Sequence, residues 1–431
     1  MTRVAVVGLG YVGLTLSVAL ARKGFTVFGY DREPRVVDTL ATGRSHLYEP
    51  DVEATLRQVL GTRLHVATTL PREPVDAAVL CVSTPVDATT REPRLDYLRD
   101  AARAVAEAFA PGTLVVVRST VSIGASRAVV LPELLARWGA ARLAFCPERT
   151  IQGQALRELN ELPQVIGGLD TASLEAASAL FGRLTPRLVP VSSLEAAEMV
   201  KLINNCHTDL IYSFGNEVAL IAERFGLDPL ETIRAANVDY PRPDLAKPGF
   251  VGGGCLSKDP YILLHSARAA GHGPWLVGAA RELNEALPGH VARRFLELLG
   301  SIRGSVAGAR VLVLGFAYKG WPPTDDMRGA PSVPILEVLR PAGLELYGHD
   351  YLVADSVLRG LGVTPCGIEE GFTDSDGVLV ITDHPDYARL DVEKLVNCLR
   401  RPALVFDCWR ILGEDRIRSV PSVRYAGIGY G

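Results

Sequence analysis

The stretch that most restricts the fold is RVAVVGLGYVGLTLSVALARKGFTVFGYD, Arg3 to Asp31. It opens with a continuous apolar run, Val4 to Val7, as expected of a strand buried on both faces. Gly8, Gly10 and Gly13 follow in G-x-G-x-x-G spacing. Leu14, Val18 and Ala19 then recur at helical spacing, and a second strand, Thr26 to Tyr30, ends at Asp31. Gly8 suits a tight turn, Gly10 a close approach of pyrophosphate to the backbone, and Gly13 a close helix–strand contact. A helix beginning there offers unpaired N–H groups and the positive end of its dipole to phosphates. Strand, glycine turn, helix, strand and acid together predict a dinucleotide-binding βαβ unit. Its contacts are Gly8, Gly10, Tyr11, Val12 and Gly13, with Asp31 positioned for the adenosine ribose hydroxyls, which favours NAD. Arg32 is the residue that would instead accept a 2′-phosphate.

Further strands are expected at Ala77 to Val82, Thr113 to Val117 and Leu143 to Phe145, ending in CVSTP, VRST and CPER. Ligands of parallel sheets sit beyond the carboxyl ends of the strands. Ser83, Thr84, Ser119, Thr120 and Glu148 are therefore expected to line one crevice.

From Leu194 the pattern becomes helical, to about Gly300. Ser193 is a plausible N-cap and Gly226 a plausible stop, which predicts an unusually long helix. Glu198, Lys201, Asn205 and Asp209 share one face of it. Such a stripe ordinarily marks the solvated side of a helix, but the neighbouring chemistry directs Lys201 and Asn205 toward a site. Beyond it lies KPGFVGGGCLSKDPY, in which three glycines lead into Cys255. The last third restarts the first: GARVLVLGFAYKG is again strand and glycine turn, and LELYGHD ends in Asp350 as TVFGYD ends in Asp31. A second nucleotide-binding-like domain is expected there, without the full glycine set and so without a second NAD.

A 431-residue chain with 48% hydrophobic and 22% charged residues is expected to form two or three filled domains. The net charge of −4 and the lack of a basic tract argue against nucleic acid. The seven cysteines contain no CxxC pair, which argues against a zinc site or a disulfide framework, and no metal is expected. Without a leader pattern or an apolar stretch of membrane-spanning length, the expectation is a cytoplasmic protein off the membrane.

Four segments in chain order, GLGYVG, FCPERTIQGQALREL, GFVGGGCLSKDPY and VLVLGFAYKGWPPTDDMRGAPS, resemble the NAD-dependent nucleotide-sugar 6-dehydrogenases of the UDP-glucose/GDP-mannose dehydrogenase family. The resemblance covers essentially the whole chain. It implies an α/β fold of two Rossmann-like doubly wound domains joined by a long central helix and a helical middle domain. The expected domains are 1–193 for NAD, 194–302 for dimerisation and the cysteine loop, and 303–431 for the UDP part of a UDP-sugar. It also implies a homodimer built on the long helix.

The same resemblance implies the chemistry. Cys255 is the expected nucleophile, Lys201 and Asn205 the oxyanion holders, and Asp259 the residue that orients water, with Thr120 and Glu148. Oxidation of a C6 alcohol to a carboxylate would pass through a thiohemiacetal and a thioester on Cys255, because a thiolate is both a strong nucleophile and a good leaving group. Lys258 and Arg328 are expected near NAD. Arg242, Lys247, Phe250, Gly252, Lys319 and Arg410 join Glu148, Lys201 and Asn205 near the substrate.

Two departures stand out. Gly254 occupies the position before the cysteine where relatives carry histidine or serine. In DCWRIL, Trp409 occupies the usual arginine position, with Arg410 one place later. CPERTIQGQALREL resembles the N-acetylhexosamine enzymes, so UDP-N-acetyl-mannosamine or -glucosamine is the expected substrate and UDP-glucose the alternative. A two-electron β-hydroxyacid-type dehydrogenase and a non-catalytic nucleotide-sugar binder are the other readings. Neither needs the set Cys255, Lys201, Asn205 and Asp259.

Overall fold

The computed structural model describes residues 2–239 and 244–431. Backbone contacts divide the chain into two compact units, one running through Asn205 with Tyr261–Pro274, the other comprising Cys206–Pro260 and Trp275–Gly431. The stretch 194–302 is thus shared between the two units.

The first unit holds β1 (Arg3–Val7), β2 (Thr26–Tyr30), β3 (Leu64–Ala67), β4 (Ala77–Leu80), β5 (Leu114–Val117), β6 (Arg142–Phe145), β7 (Gln164–Gly168) and β8 (Leu188–Val191). Their order is β3-β2-β1-β4-β5-β6-β7-β8. All pairs are parallel except β6 with β7. Every residue of β4 and β5 is buried, which explains their unbroken apolar sequences. The chain reverses direction across the sheet between β1 and β4, where doubly wound folds bind ligands. Pro190 is tolerated because β8 is an edge strand.

The second unit repeats the plan with β9 (Arg310–Leu314), β10 (Glu345–His349), β11 (Thr364–Pro365), β12 (Gly377–Val380), β13 (Ala403–Asp407) and β14 (Val423–Ala426). All pairs are parallel, in the order β11-β10-β9-β12-β13-β14. The repeat extends to side chains. Asp31 accepts from the Leu9 N–H at 2.8 Å, and Asp350 from the Phe316 N–H at 2.6 Å. It stops at the helix. The first helix, Tyr11–Arg22, begins directly after Gly10, whereas the helix after Gly315 begins only at Ser332. The second glycine turn therefore presents no adjacent helix end to a pyrophosphate.

The long helix spans Leu194–Phe225. Ser193 caps it, its hydroxyl accepting from the Ala196 N–H at 3.1 Å, and Gly226 ends it at φ +66°. Its polarity is inverted. Glu198, Lys201 and Asp209 are buried, while Met199, Ile203, Ile211, Phe214, Ile221 and Phe225 are exposed. A return helix, Leu276–Arg303, packs in the second core through Leu287, Val291 and Phe295. Among the described residues no helix is long and apolar enough to cross a membrane.

Candidate active site

In the first unit the glycine turn has one open side. A methyl group on Gly13 would lie 1.8 Å from the Gly8 carbonyl oxygen, and one on Gly8 2.8 Å from the Cys81 carbonyl oxygen, so both must be glycine. A methyl group on Gly10 would meet nothing within 4 Å. Gly10 caps the first helix with no side-chain hydrogen bond, so its leading N–H groups face open space. That is the cradle a pyrophosphate needs. Asp31 also accepts from the Glu33 N–H at 3.0 Å. Arg32 is exposed and lies over the Tyr97 ring at 4.4 Å.

Tyr11 donates to Glu49 at 2.5 Å. Glu49, nearly buried, also accepts from the N–H groups of Gly153 (2.6 Å) and Ala155 (2.7 Å). Burial first, then the hydrogen bond to Glu49, raises the Tyr11 phenol far above its ordinary value, so it remains a donor. Glu49 thereby ties the cofactor turn to the segment that follows Glu148. No pattern in the chain marks this link, because Glu49 is isolated in a loop.

The strand-end residues differ in exposure. Thr84 and Ser119 are buried, Thr120 is half-buried and Ser83 is exposed. The Thr84 hydroxyl donates to the Thr120 carbonyl at 2.5 Å, and the Ser119 hydroxyl to the Val82 carbonyl at 2.6 Å. Glu148 is held more tightly. One of its oxygens accepts from Arg118, whose Nε is 3.1 Å away, and the other accepts from the N–H groups of Arg149 and Thr150 at 2.7 and 2.8 Å. Burial pushes the Glu148 carboxyl up, but Arg118, the Thr150 N–H and Lys201 outweigh it and hold the carboxyl below its ordinary range. Arg118 was passed over in VRST, although a charge directly after the apolar strand Leu114–Val117 was a usable signal.

The second unit carries the cysteine. Cys255 and Cys398 are the exposed thiols. Burial pushes the thiols of Cys146 and Cys206 up to about 12, which keeps them protonated and inert. Cys255 lies in a single helical turn, Gly253–Leu256. Its glycines are explained by the 318–329 segment packed on them. A methyl group on Gly252 would lie 2.1 Å from the Gly329 carbonyl oxygen, one on Gly253 2.7 Å from the Tyr318 ring, and one on Gly254 3.0 Å from the Arg328 guanidinium carbon. Gly253 also sits at φ +86°. Upstream, the Trp409 ring occupies the place a Gly249 side chain would take, at 2.4 Å, and its indole donates to the Ile381 carbonyl at 2.6 Å. The residue at the usual arginine position is thus a packing group under the loop.

Asp259 is fully buried and paired with Lys258 at 2.7 Å. Phe250 is buried in the second core, Lys247 is exposed, and Lys319 is half-buried over the Tyr318 ring at 5.5 Å. Arg410 is bound to Asp228 at 2.5 Å and to Glu414, and lies 4.4 Å from the Tyr430 ring. Its guanidinium ties structure together, at a left-handed φ of +53°. Arg242 lies outside the described residues.

Comparisons with known proteins agree along the chain. Residues 2–185 match the NAD binding domain of the UDP-glucose/GDP-mannose dehydrogenase family, 195–286 its central domain and 312–414 its UDP binding domain. The UDP-N-acetyl-D-mannosamine dehydrogenase of Pyrococcus horikoshii is 32% identical over 100% of this chain and 99% of its own length. An NDP-N-acetyl-D-galactosaminuronic acid dehydrogenase of Ralstonia nicotianae is 32% identical over 91% and 93%. Among solved structures, UDP-D-ManNAc dehydrogenase from Pyrococcus horikoshii superposes with a TM-score of 0.88 at 30% identity, covering 100% of both chains. A UDP-glucose dehydrogenase from Pyrobaculum islandicum gives 0.86 at 29%, covering 100% of this chain and 98% of that one.

Proposed function

Because the chain belongs to the UDP-glucose/GDP-mannose dehydrogenase family, and so is an NAD-dependent nucleotide-sugar dehydrogenase, we propose that it oxidises the C6 hydroxyl of a UDP-N-acetylhexosamine to the uronate through Cys255. The observation that carries this reading is the exposed Cys255 on a turn whose three glycines are each closed by a neighbour. A turn built so tightly around an accessible thiol suits a nucleophile better than a core cysteine. UDP-N-acetylmannosamine is placed first from the names of the relatives, and UDP-N-acetylglucosamine second from the resemblance of CPERTIQGQALREL to the N-acetylhexosamine enzymes. UDP-glucose is the alternative, favoured by the Pyrobaculum islandicum likeness.

Gly8, Gly10 and Gly13 would hold NAD, which would supply the hydride acceptor for both oxidations. Lys201, buried on the long helix, is assigned to stabilise the alkoxide and tetrahedral oxyanions, and Asn205, one turn on, to support it. The Cys255 sulfur adds to the C6 aldehyde carbon, and the carbonyl oxygen takes a proton. Loss of the C6 hydrogen as hydride to NAD, and of the hydroxyl proton, turns that thiohemiacetal into a thioester, which water cleaves to carboxylate and free thiol. Asp259, with Thr120, is assigned to orient the water. Glu148 has four donors on its two oxygens and is assigned to set the charge around Lys201 rather than to take a proton. Lys258 and Arg328 are assigned to the cofactor side, and Lys247, Gly252 and Lys319 to the nucleotide sugar. Arg410 is left out, because two carboxylates already hold it.

The inverted long helix supports a homodimer. Met199, Ile203, Ile211, Phe214, Ile221 and Phe225 form an exposed apolar face that a second copy would cover.

Cys255→Ser tests the reading with a panel of UDP- and GDP-sugars. Wild-type protein is expected to release two NADH per sugar acid and to favour the N-acetylated UDP-sugars. The variant is expected to fold, bind NAD and UDP, and lose turnover by about three or more orders of magnitude. Near-normal NADH production by a folded variant would remove the thiol from the mechanism.

A further inference from the structure

Beneath the cysteine turn lies a buried polar cluster that no assigned role uses. Arg281, on the return helix, is 2% exposed. Its Nη1 donates to the Leu256 carbonyl at 2.7 Å, and its Nη2 to the Val251 carbonyl at 3.3 Å. These carbonyls bracket Gly252 to Cys255. The same Nη1 pairs with Asp209 of the long helix at 2.7 Å. Asn284, one turn after Arg281, donates to the same carboxylate at 2.9 Å and to the Asp209 carbonyl at 3.1 Å. Its amide oxygen accepts from Asn216 at 2.9 Å, and Asn216 in turn accepts from the Gly249 N–H at 2.8 Å. Of these four side chains from two helices, Arg281 and Asn216 bind the cysteine loop at three backbone points, and Asp209 and Asn284 brace them.

A cation this deep is costly unless it is paired and hydrogen-bonded. A hydrophobic residue of similar size would fill the same volume without that cost, so the fold retains a guanidinium for what its geometry does. Its planar fork reaches two carbonyls and a carboxylate at once, which an ammonium cannot reproduce. One Asp209 oxygen has no hydrogen-bond partner. Burial pushes the Asp209 carboxyl up, and Arg281 and Asn284 are what pull it back. The pair is thus mutually dependent.

We propose that Arg281, with Asp209 as its counter-ion, is a positioning residue that fixes the shoulders of the Cys255 turn for attack on C6. This rests on the reading of Cys255 as the nucleophile. The 318–329 segment closes the turn on one side through its glycines, and the Arg281 clamp sets its backbone through Val251 and Leu256. Placement errors of about 1 Å in a reacting group cost on the order of 100-fold in rate.

The test uses full-length Cys255→Ser, followed by turnover and Tm, and full-length Arg281→Lys and Asp209→Asn, with three measurements on each of these two. These are kcat and KM for both substrates, the rate of Cys255 alkylation by iodoacetamide at fixed pH, and Tm. Arg281→Lys is expected to lower kcat about 100-fold, to leave the KM for NAD within about twofold, and to change the alkylation rate. Asp209→Asn is expected to do the same to a lesser degree, and it carries the test alone if Arg281→Lys does not fold. A variant whose Tm falls while its kcat and alkylation rate stay at wild-type values shows Arg281 to be merely structural and overturns the inference. If Cys255→Ser keeps its turnover, the nucleophile reading itself fails. If Cys255→Ser is dead and Arg281→Lys is fully active, only the clamp fails.

Discussion

Arg118→Met isolates the ion pair that holds Glu148. The Arg118 and Glu148 side chains are 1% and 9% exposed. Arg118 also donates to the Cys146 carbonyl at 3.1 Å and to the Gln164 amide oxygen at 3.0 Å. Methionine fills the stem and removes every one of these donors. Breaking a buried pair by deleting one partner costs about 3–5 kcal/mol, because the remaining charge is left uncompensated. The pH dependence follows from Glu148. Its carboxyl is held below its ordinary range in the folded protein. The pair's contribution is therefore present above the unfolded value, roughly 4.3, and is lost as pH falls through the folded one. In the variant burial dominates and Glu148 favours its neutral form, so the gap between wild type and variant should narrow in acid. Trp138 is the one tryptophan in residues 1–205, so urea unfolding followed through Trp138 alone, with the other three tryptophans replaced by phenylalanine, reports on this unit. The double variant Arg118→Met/Glu148→Gln should recover at least about half of the loss, since it removes the orphaned charge. A loss below about 1 kcal/mol at neutral pH, or a gap that widens in acid, would refute the reasoning.

With Asp31 as the proposed partner of the ribose diol, repelling a 2′-phosphate, and Arg32 turned onto Tyr97, kcat/KM should favour NAD over NADP by about 100-fold; parity would reassign Arg32 as a phosphate ligand. Gly10→Ala should fold with Tm within about 2 °C of wild type and raise the KM for NAD about tenfold, whereas Gly13→Ala, which meets a carbonyl oxygen at 1.8 Å, should not yield folded protein. Equal behaviour of the two alanines would refute the assignment of the open side. Phe214→Glu with Phe225→Glu should shift sedimentation from dimer to monomer, because two charges would be buried in an apolar interface; an unchanged mass would place the dimer contact elsewhere.

The fold was legible where periodicity and punctuation agreed. β1, β4 and β5 are marked by unbroken apolar runs ending in glycine or small polar residues, β2 by its place before Asp31, and the long helix by Ser193 and Gly226. The second sheet was visible as a repeat, because β9 and β10 reuse the pattern of β1 and β2 down to the closing aspartate. β7 and β8 were not read. They add to the sheet after its one antiparallel turn, and QVIGG and LVPV are too short and too broken by glycine and proline to show period or length.

The candidate site was legible as a set of residue types but not as a set of partners. GGGC shows that something approaches the backbone closely. It does not show that Tyr318, Arg328 and Gly329, some 65 to 77 residues on, are what approach. A substrate and a protein loop demand the same missing side chain, and only tertiary structure separates them. The long helix makes the same point. Glu198, Lys201, Asn205 and Asp209 at helical spacing would ordinarily mark a solvated face, because a soluble helix usually turns its charges outward, and only the neighbouring motifs direct Lys201 and Asn205 toward a site. Here that face is turned inward, with Asp209 paired to Arg281 and Glu198 accepting from the Ser126 N–H at 2.9 Å. Inverted polarity on a 32-residue helix needs a buried partner for each charge and a cover for the apolar side. The first need identifies the residues that hold the cysteine turn, and the second is why a second copy of the chain is the expected cover.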